Sequence, residues 1–110
     1  MLHETVPPDN VLAAVVRALV DSMAVRRIVL FGSRASGKAG LDSDYDLVVV
    51  ADTALPPEER MYVAHRAIRD LGVPLDILIC TPDEHAKLVQ WRSSAVATAE
   101  AEGKVIYEAA

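Results

Sequence analysis

Two short apolar runs, Ile28-Val29-Leu30-Phe31 and Leu47-Val48-Val49-Val50, flank one polar segment, and the residues at their borders constrain this chain most. Gly32-Ser33 closes the first run. Ten residues later Asp44 and Asp46 open the second. The runs have the length and β-branched content of buried strands. The segment between them is too short for a full crossover helix, so the two strands are predicted to be antiparallel neighbours.

Successive side chains of a strand point to opposite faces, so Asp44 and Asp46 share a face. Two like charges that close repel unless something neutralises them. A bound Mg²⁺ does so, taking one or two carboxylates plus waters and substrate phosphates. Val48 and Val50 continue the aspartate face while Leu47 and Val49 cover the other. A strand apolar on both faces is buried, which puts the aspartates at its mouth.

Gly32 can take backbone angles closed to other residues and lets a phosphate come close to the chain. Ser33 and the amides after it can donate to phosphate oxygens. Arg34 and Lys38 add positive charge, and three of the five glycines (Gly32, Gly37, Gly40) fall in this segment. Gly-Ser alone, or D-x-D alone, says little. Their spacing, each tied to the border of an apolar run, is what carries the signal.

Nucleotidyl transfer normally uses a third carboxylate, so that two metal ions bracket the attacking and leaving oxygens. Asp76, in Pro74-Leu75-Asp76-Ile77-Leu78-Ile79, is the candidate. A lone carboxylate buried in an apolar strand is costly unless paired or metal-bound. Beside the first aspartate strand it would act as general base or shared metal ligand. The plainer alternatives are a turn before an ordinary strand at Ser43-Asp44, and a buried Asp76 satisfied by Arg26 or Arg27.

The remaining chain reads as a single α/β domain over residues 1–110. A helical stripe of Val11, Leu12, Val15, Val16, Leu19 and Val20 precedes the strand Arg26–Phe31. A second helix opens at Pro56-Pro57, buries Met61, Ala64, Ile68 and Leu71, and stops at Gly72. Its Arg60, His65, Arg66 and Arg69 read as a solvated basic face. Pro74–Cys80 is the next strand. Thr81-Pro82-Asp83-Glu84 then has the form of a capping box, with Thr81 as cap and Glu84 reaching back. Trp91 is expected to pack into the core near the end of that helix. Ala95–Glu102 is a last helix, stopped by Gly103, and Lys104–Glu108 a last strand. A helix between the second and third strands permits a parallel crossover. The result is a mixed sheet, with both carboxylate-bearing strands expected near its centre.

Composition sets limits on function. The net charge is −5, of which the three aspartates account for three, so nothing suggests a non-specific nucleic-acid footprint. The chain is 52% apolar, which argues against disorder. The single cysteine, Cys80, closes a strand and reads as a small buried hydrophobe. With no internal disulfide possible, no signal-peptide layout and no run of membrane-spanning length, the expected setting is cytoplasmic, without a membrane partner. His3 and His85 show no metal-ligand spacing.

The run GSRASGKAGLDSDYDLVVV, with Asp76 downstream, resembles the nucleotidyltransferase domain of the DNA polymerase β-like superfamily. Its size resembles the minimal nucleotidyltransferases, or MNT proteins, over about residues 10–108. The resemblance implies a mixed β-sheet flanked by helices, ATP as substrate and Mg²⁺, as two ions. Gly32 and Ser33 would hold the triphosphate with Arg34 beside them. Asp44 and Asp46 would bind the metals and Asp76 would complete the catalytic triad of carboxylates. It further implies an antitoxin that pairs, as a hetero-oligomer, with a HEPN RNase toxin and silences it by adding AMP to a tyrosine. The larger second domain of antibiotic-modifying members is missing, so the acceptor is expected to come from the partner. Two alternatives remain: a non-catalytic antitoxin that occludes the toxin, and a nucleotidyltransferase acting on a small molecule such as an aminoglycoside.

Overall fold

The computed structural model describes residues 10–32, Ala35 and residues 44–109. Helix α1 (Asn10–Ser22) leads into β1 (Ala24–Phe31) and β2 (Tyr45–Asp52). Helix α2 (Pro57–Ile68) continues into a 3-10 turn (Arg69–Leu71) and then β3 (Leu75–Cys80). Helices α3 (Pro82–Leu88) and α4 (Ala95–Glu102) precede β4 (Lys104–Glu108). The strands form one mixed sheet in the order β3-β2-β1-β4. As expected, β1 and β2 are antiparallel and β3 runs parallel to β2.

Strand alternation divides the core in two. Ile28 and Leu30 of β1, Leu47 and Val49 of β2, and Ile77 and Ile79 of β3 pack against α1 and α2. Val29, Val48, Val50 and Cys80 turn the other way and meet Val96 and Ala99 of α4. Helices thus cover both faces, and the central β2 is apolar on each. In α1 the buried stripe is Leu12, Val15, Val16 and Leu19, while Val11 is exposed. Gly72, at φ 63°, provides the left-handed stop after the 3-10 turn. Cys80 is buried, and desolvation pushes its thiol up to about 11, so it stays protonated and inert.

Four expectations are corrected. Leu71, expected on the buried face of the second helix, falls in the 3-10 turn and is exposed. The carboxylate-bearing strands are not both central. β4 pairs with β1 on its far side, which leaves β3 at the sheet edge. Trp91 is not in the core. It follows α3 in a turn and is 66% exposed. Arg60 does not belong to a solvated face. It is 7% exposed, because it lies one and two turns before the buried Ala64 and Ile68 on the same stripe of α2.

The buried Arg60 guanidinium is held by Glu84 through two bonds, 2.7 Å to Oε1 and 3.1 Å to Oε2. It also donates to the Leu55 carbonyl at 2.7 Å. Glu84 is at the same time the third residue of the capping box of α3, accepting from the Thr81 amide at 2.9 Å. The hydrogen bond from Arg60, followed by that from the Thr81 backbone, holds the Glu84 carboxyl below its ordinary value. Such a group stabilises the fold above the ordinary glutamate pKa, and that contribution is lost as pH falls through the depressed value. Replacing Glu84 by glutamine keeps the shape and removes the charge. Breaking a buried pair costs several kcal/mol, but the Glu84 side chain is 42% exposed, so about 1–2 kcal/mol is expected at neutral pH. In urea unfolding the deficit should be full at pH 7 and close in acid, below the usual carboxylate range.

A second polar network ties β1 to the last helix and strand. Arg27 bridges Glu100 at 2.9 Å and Glu108 at 2.8 Å, and His85 meets Glu100 at 2.9 Å. Neither Arg26 nor Arg27 serves Asp76, since Arg26 pairs with Asp52.

Candidate active site

The sheet register assembles the carboxylates. Asp46 is paired with Phe31 on β1 and with Asp76 on β3. Asp46 and Asp76 therefore stand side by side on adjacent strands. Alternation puts both on the face of Val48 and Cys80, opposite the face covered by α1 and α2. Asp44 precedes β2 immediately and is exposed. The Tyr45 amide donates to the Pro74 carbonyl at 2.9 Å, which fixes the start of the β2–β3 pairing just ahead of the two acids.

The face is covered toward the far ends of the strands and open at the near ends. Val50 and Cys80 lie under α3 and α4. Asp76 is exposed, and Leu78 next along its face is 40% exposed. This departs from the expected burial of Asp76. An edge strand has no neighbour on one side, so the carboxylate reaches solvent without a buried partner. The cost of a lone buried acid does not arise.

Asp46 is the most enclosed of the three. Its carboxyl is raised above the ordinary value, first by desolvation and then by the charges of Asp76 and Asp44. Burial and the two neighbouring charges thus act in the same direction on Asp46, against its ionised form. Gly32 supplies part of the wall. Its φ is +75°, and a Cβ built there would run into the Asp46 Oδ2 and lie 3.2 Å from Cγ. Gly32 thus leaves the room in which Asp46 sits, a role for this glycine that sequence reasoning missed. A glycine at a strand end, where backbones approach closely, was the available signal. The Ala35 amide donates back to the Gly32 carbonyl at 3.2 Å. Ser33 and Arg34, expected to hold phosphate, lie outside the described residues, as do Gly37, Lys38 and Gly40.

The donors suit a hard divalent cation. Among the described residues no three His, Cys, Asp or Glu side chains form a ready-made cage. Mg²⁺ does not require one, since it keeps waters and substrate oxygens beside one or two carboxylates. A pair such as Asp46 with Asp44 or Asp76 supplies that share, and a cation there would relieve the repulsion that raises Asp46.

A model of the nucleotidyltransferase domain matches residues 12–101, most of the chain and the whole of this site. The chain belongs to that family. Fold comparison agrees. The nucleotidyltransferase domain superposes on a chain of a toxin–antitoxin crystal structure with AMP-PNP, with TM-score 0.64 and 22% identity, covering 91% of this chain and 74% of that one. It superposes also on a chain of the complex of a tri-AMPylated Shewanella oneidensis HEPN toxin with an MNT antitoxin. There the TM-score is 0.57 and the identity 20%, covering 89% of this chain and 70% of the other. At these identities the likeness carries the fold. No curated protein matches the chain. Among the described residues, no helix of this nucleotidyltransferase domain is long and apolar enough to cross a membrane.

Proposed function

We propose that this nucleotidyltransferase moves AMP from ATP, with Mg²⁺, onto a hydroxyl of a partner protein, and that the partner is a HEPN toxin which the modification silences. The observation that carries the reading is the open carboxylate cluster: Asp44, Asp46 and Asp76 share one mouth of the sheet, and the third of them faces solvent. The solved structures of this fold that pair an antitoxin with a toxin, one of them AMPylated, support the choice of partner.

In the proposed reaction the acceptor oxygen forms a bond to the α-phosphorus, and the bond from that phosphorus to the bridging oxygen breaks. Pyrophosphate leaves with the electron pair. The hydroxyl proton passes to the Asp76 carboxylate, which its exposed position lets an incoming hydroxyl reach. Asp44 and Asp46 would hold the cation, and when bound it would supply positive charge to offset that of the triphosphate. Gly32 keeps the wall behind Asp46 free of side chain. Such transfer is mainly positioning and charge stabilisation, which a rigid sheet end provides.

The test is the intact mass of the partner toxin after incubation with this chain, ATP and Mg²⁺. A gain of AMP units that disappears with Asp44→Ala is the expected result. A stable complex with no gain in mass would turn the protein into an occluding antitoxin. Transfer to an aminoglycoside and not to the toxin would make it a small-molecule enzyme.

A further inference from the structure

The edge of β3 offers a way to bring an acceptor to Asp76. The Pro74 carbonyl points to β2, where it accepts from the Tyr45 amide. Backbone groups alternate along a strand, so Asp76 and Leu78 continue the bonding to β2 while Leu75 and Ile77 direct their amides and carbonyls outward. Farther on, the Ile79 carbonyl also points outward, and Arg60 reaches it at 3.4 Å. No described strand pairs with this side of β3. An edge of this kind is a template for an extended segment of another chain.

Beside the start of the edge, on the face of α2, runs a groove of about 740 Å³. Tyr62, His65, Arg66 and Arg69 line it together with Leu75, and no acidic residue does. In a chain of net charge −5 that is a local reversal of sign. The basic groove and the carboxylate site lie on opposite faces of the same edge strand.

We propose that β3 takes up an extended segment of the acceptor protein as an added antiparallel strand, with the acceptor hydroxyl residue opposite Asp76 and an acidic residue next to it. The proposal rests on the reading of the site as one that modifies a protein hydroxyl. Strand geometry ties the two features together. A residue opposite Asp76 points to the carboxylate face. Because Asp76 bonds inward, the two form a non-hydrogen-bonded pair, the type in which side chains come closest. The next residue of the added strand, opposite Leu75, points to the other face and into the groove of Arg66 and Arg69. The partner's chemistry follows: a hydroxyl residue in an extended stretch, flanked by glutamate or aspartate.

The experiment titrates the nitrogen-15-labelled 110-residue chain with synthetic extended peptides carrying a central tyrosine. One peptide has a glutamate on each side of the tyrosine and a second has lysines there. Two more are the glutamate peptide N-methylated either at both glutamates or at the tyrosine. The expected result is amide shifts centred on Leu75 and Ile77, with the glutamate peptide binding about fivefold to tenfold more tightly than the lysine peptide. The preference should reverse in the double variant Arg66→Glu, Arg69→Glu, which alters two exposed side chains. Methylation at the glutamates, whose amides face the edge, should abolish binding. Methylation at the tyrosine, whose amide faces away, should not. Equal binding of both charge types, shifts elsewhere, insensitivity to the site of methylation, or no binding at millimolar peptide would each overturn the proposal. The same samples with ATP and Mg²⁺ are read by mass. Edge binding without AMP transfer would leave the docking edge and remove the proposed activity. Transfer that ignores methylation and charge would do the reverse.

Discussion

Replacing Asp46 by asparagine is expected to lower the proposed AMP transfer about 10³-fold while raising the melting temperature at neutral pH. The two effects share a cause. Asp46 lies against Gly32 and is itself partly withdrawn from water, with the charges of the exposed Asp76 and Asp44 close by. Its carboxyl is raised above the ordinary value of 3.8. For a group shifted that way, the favourable contribution is complete below the ordinary value and is lost as pH rises through the raised one. At neutral pH the ionised Asp46 therefore burdens the free fold, and asparagine is expected to relieve it by about 1 kcal/mol, a usual gain when a partly buried charge beside like charges is removed. Thermal melts in a chelator-containing buffer at pH 7 and pH 3.5 check this. The variant should be ahead at the first and level at the second. A variant less stable than the parent at pH 7 would mean that Asp46 is a structural residue.

The largest loss of stability is expected from Gly103→Ala. Gly103 ends α4 and its amide donates to the Ala99 carbonyl at 2.8 Å. Its φ of −86° is open to any residue, so the backbone itself is not strained. Space is the constraint. An added Cβ would lie 2.5 Å from the Ala99 oxygen, 2.6 Å from Val29 Cγ1 and 2.7 Å from the Leu30 oxygen. Two of those atoms are backbone, one in the last turn of α4 and one in β1, and neither can withdraw without moving the element it belongs to. Overpacking of this kind costs about 2–3 kcal/mol, roughly 10–15 °C in Tm for a domain of this size. Gly72→Ala is the control. A Cβ there meets nothing within 4 Å, so only the left-handed φ of 63° matters. About 1 kcal/mol is expected, measured in the same melts.

Much of this structure is legible in the residues because its signals are local. The apolar run Leu47 to Val50 identifies β2, Gly72 marks the end of the 3-10 turn that follows α2, and Thr81 with Glu84 announces α3. The mixed sheet follows from the loop lengths between strands. What is not legible comes from contacts distant in sequence. Nothing in Lys104–Glu108 says that it pairs with β1, and that pairing is what sends β3 to the edge and Asp76 into solvent. The bond from Arg60 to Glu84 joins residues 24 apart, across two elements. Even so, Arg60, Ala64 and Ile68 recur at the spacing of one helix stripe, and the arginine could have been placed on the buried side from that alone. In the candidate site, the pairing of Asp46 with Asp76 follows from two strands and a crossover. The room that Gly32 leaves for Asp46 depends on how closely that side chain comes to the Gly32 backbone, which the sequence does not show.

The parallel pairing of β2 with β3 also sets when the site comes into being. The antiparallel partners β1 and β2 are adjacent in the chain and can zip early. Asp76 reaches Asp46 only after α2 has been laid across the sheet and the chain has turned back at Gly72. Non-local parallel pairing pays its loop-closure entropy before any contact rewards it, and so tends to come late in folding. On that argument the candidate site is expected to gain its third carboxylate later than the β1–β2 pairing forms, and a molecule with only that hairpin in place holds two of its three acids.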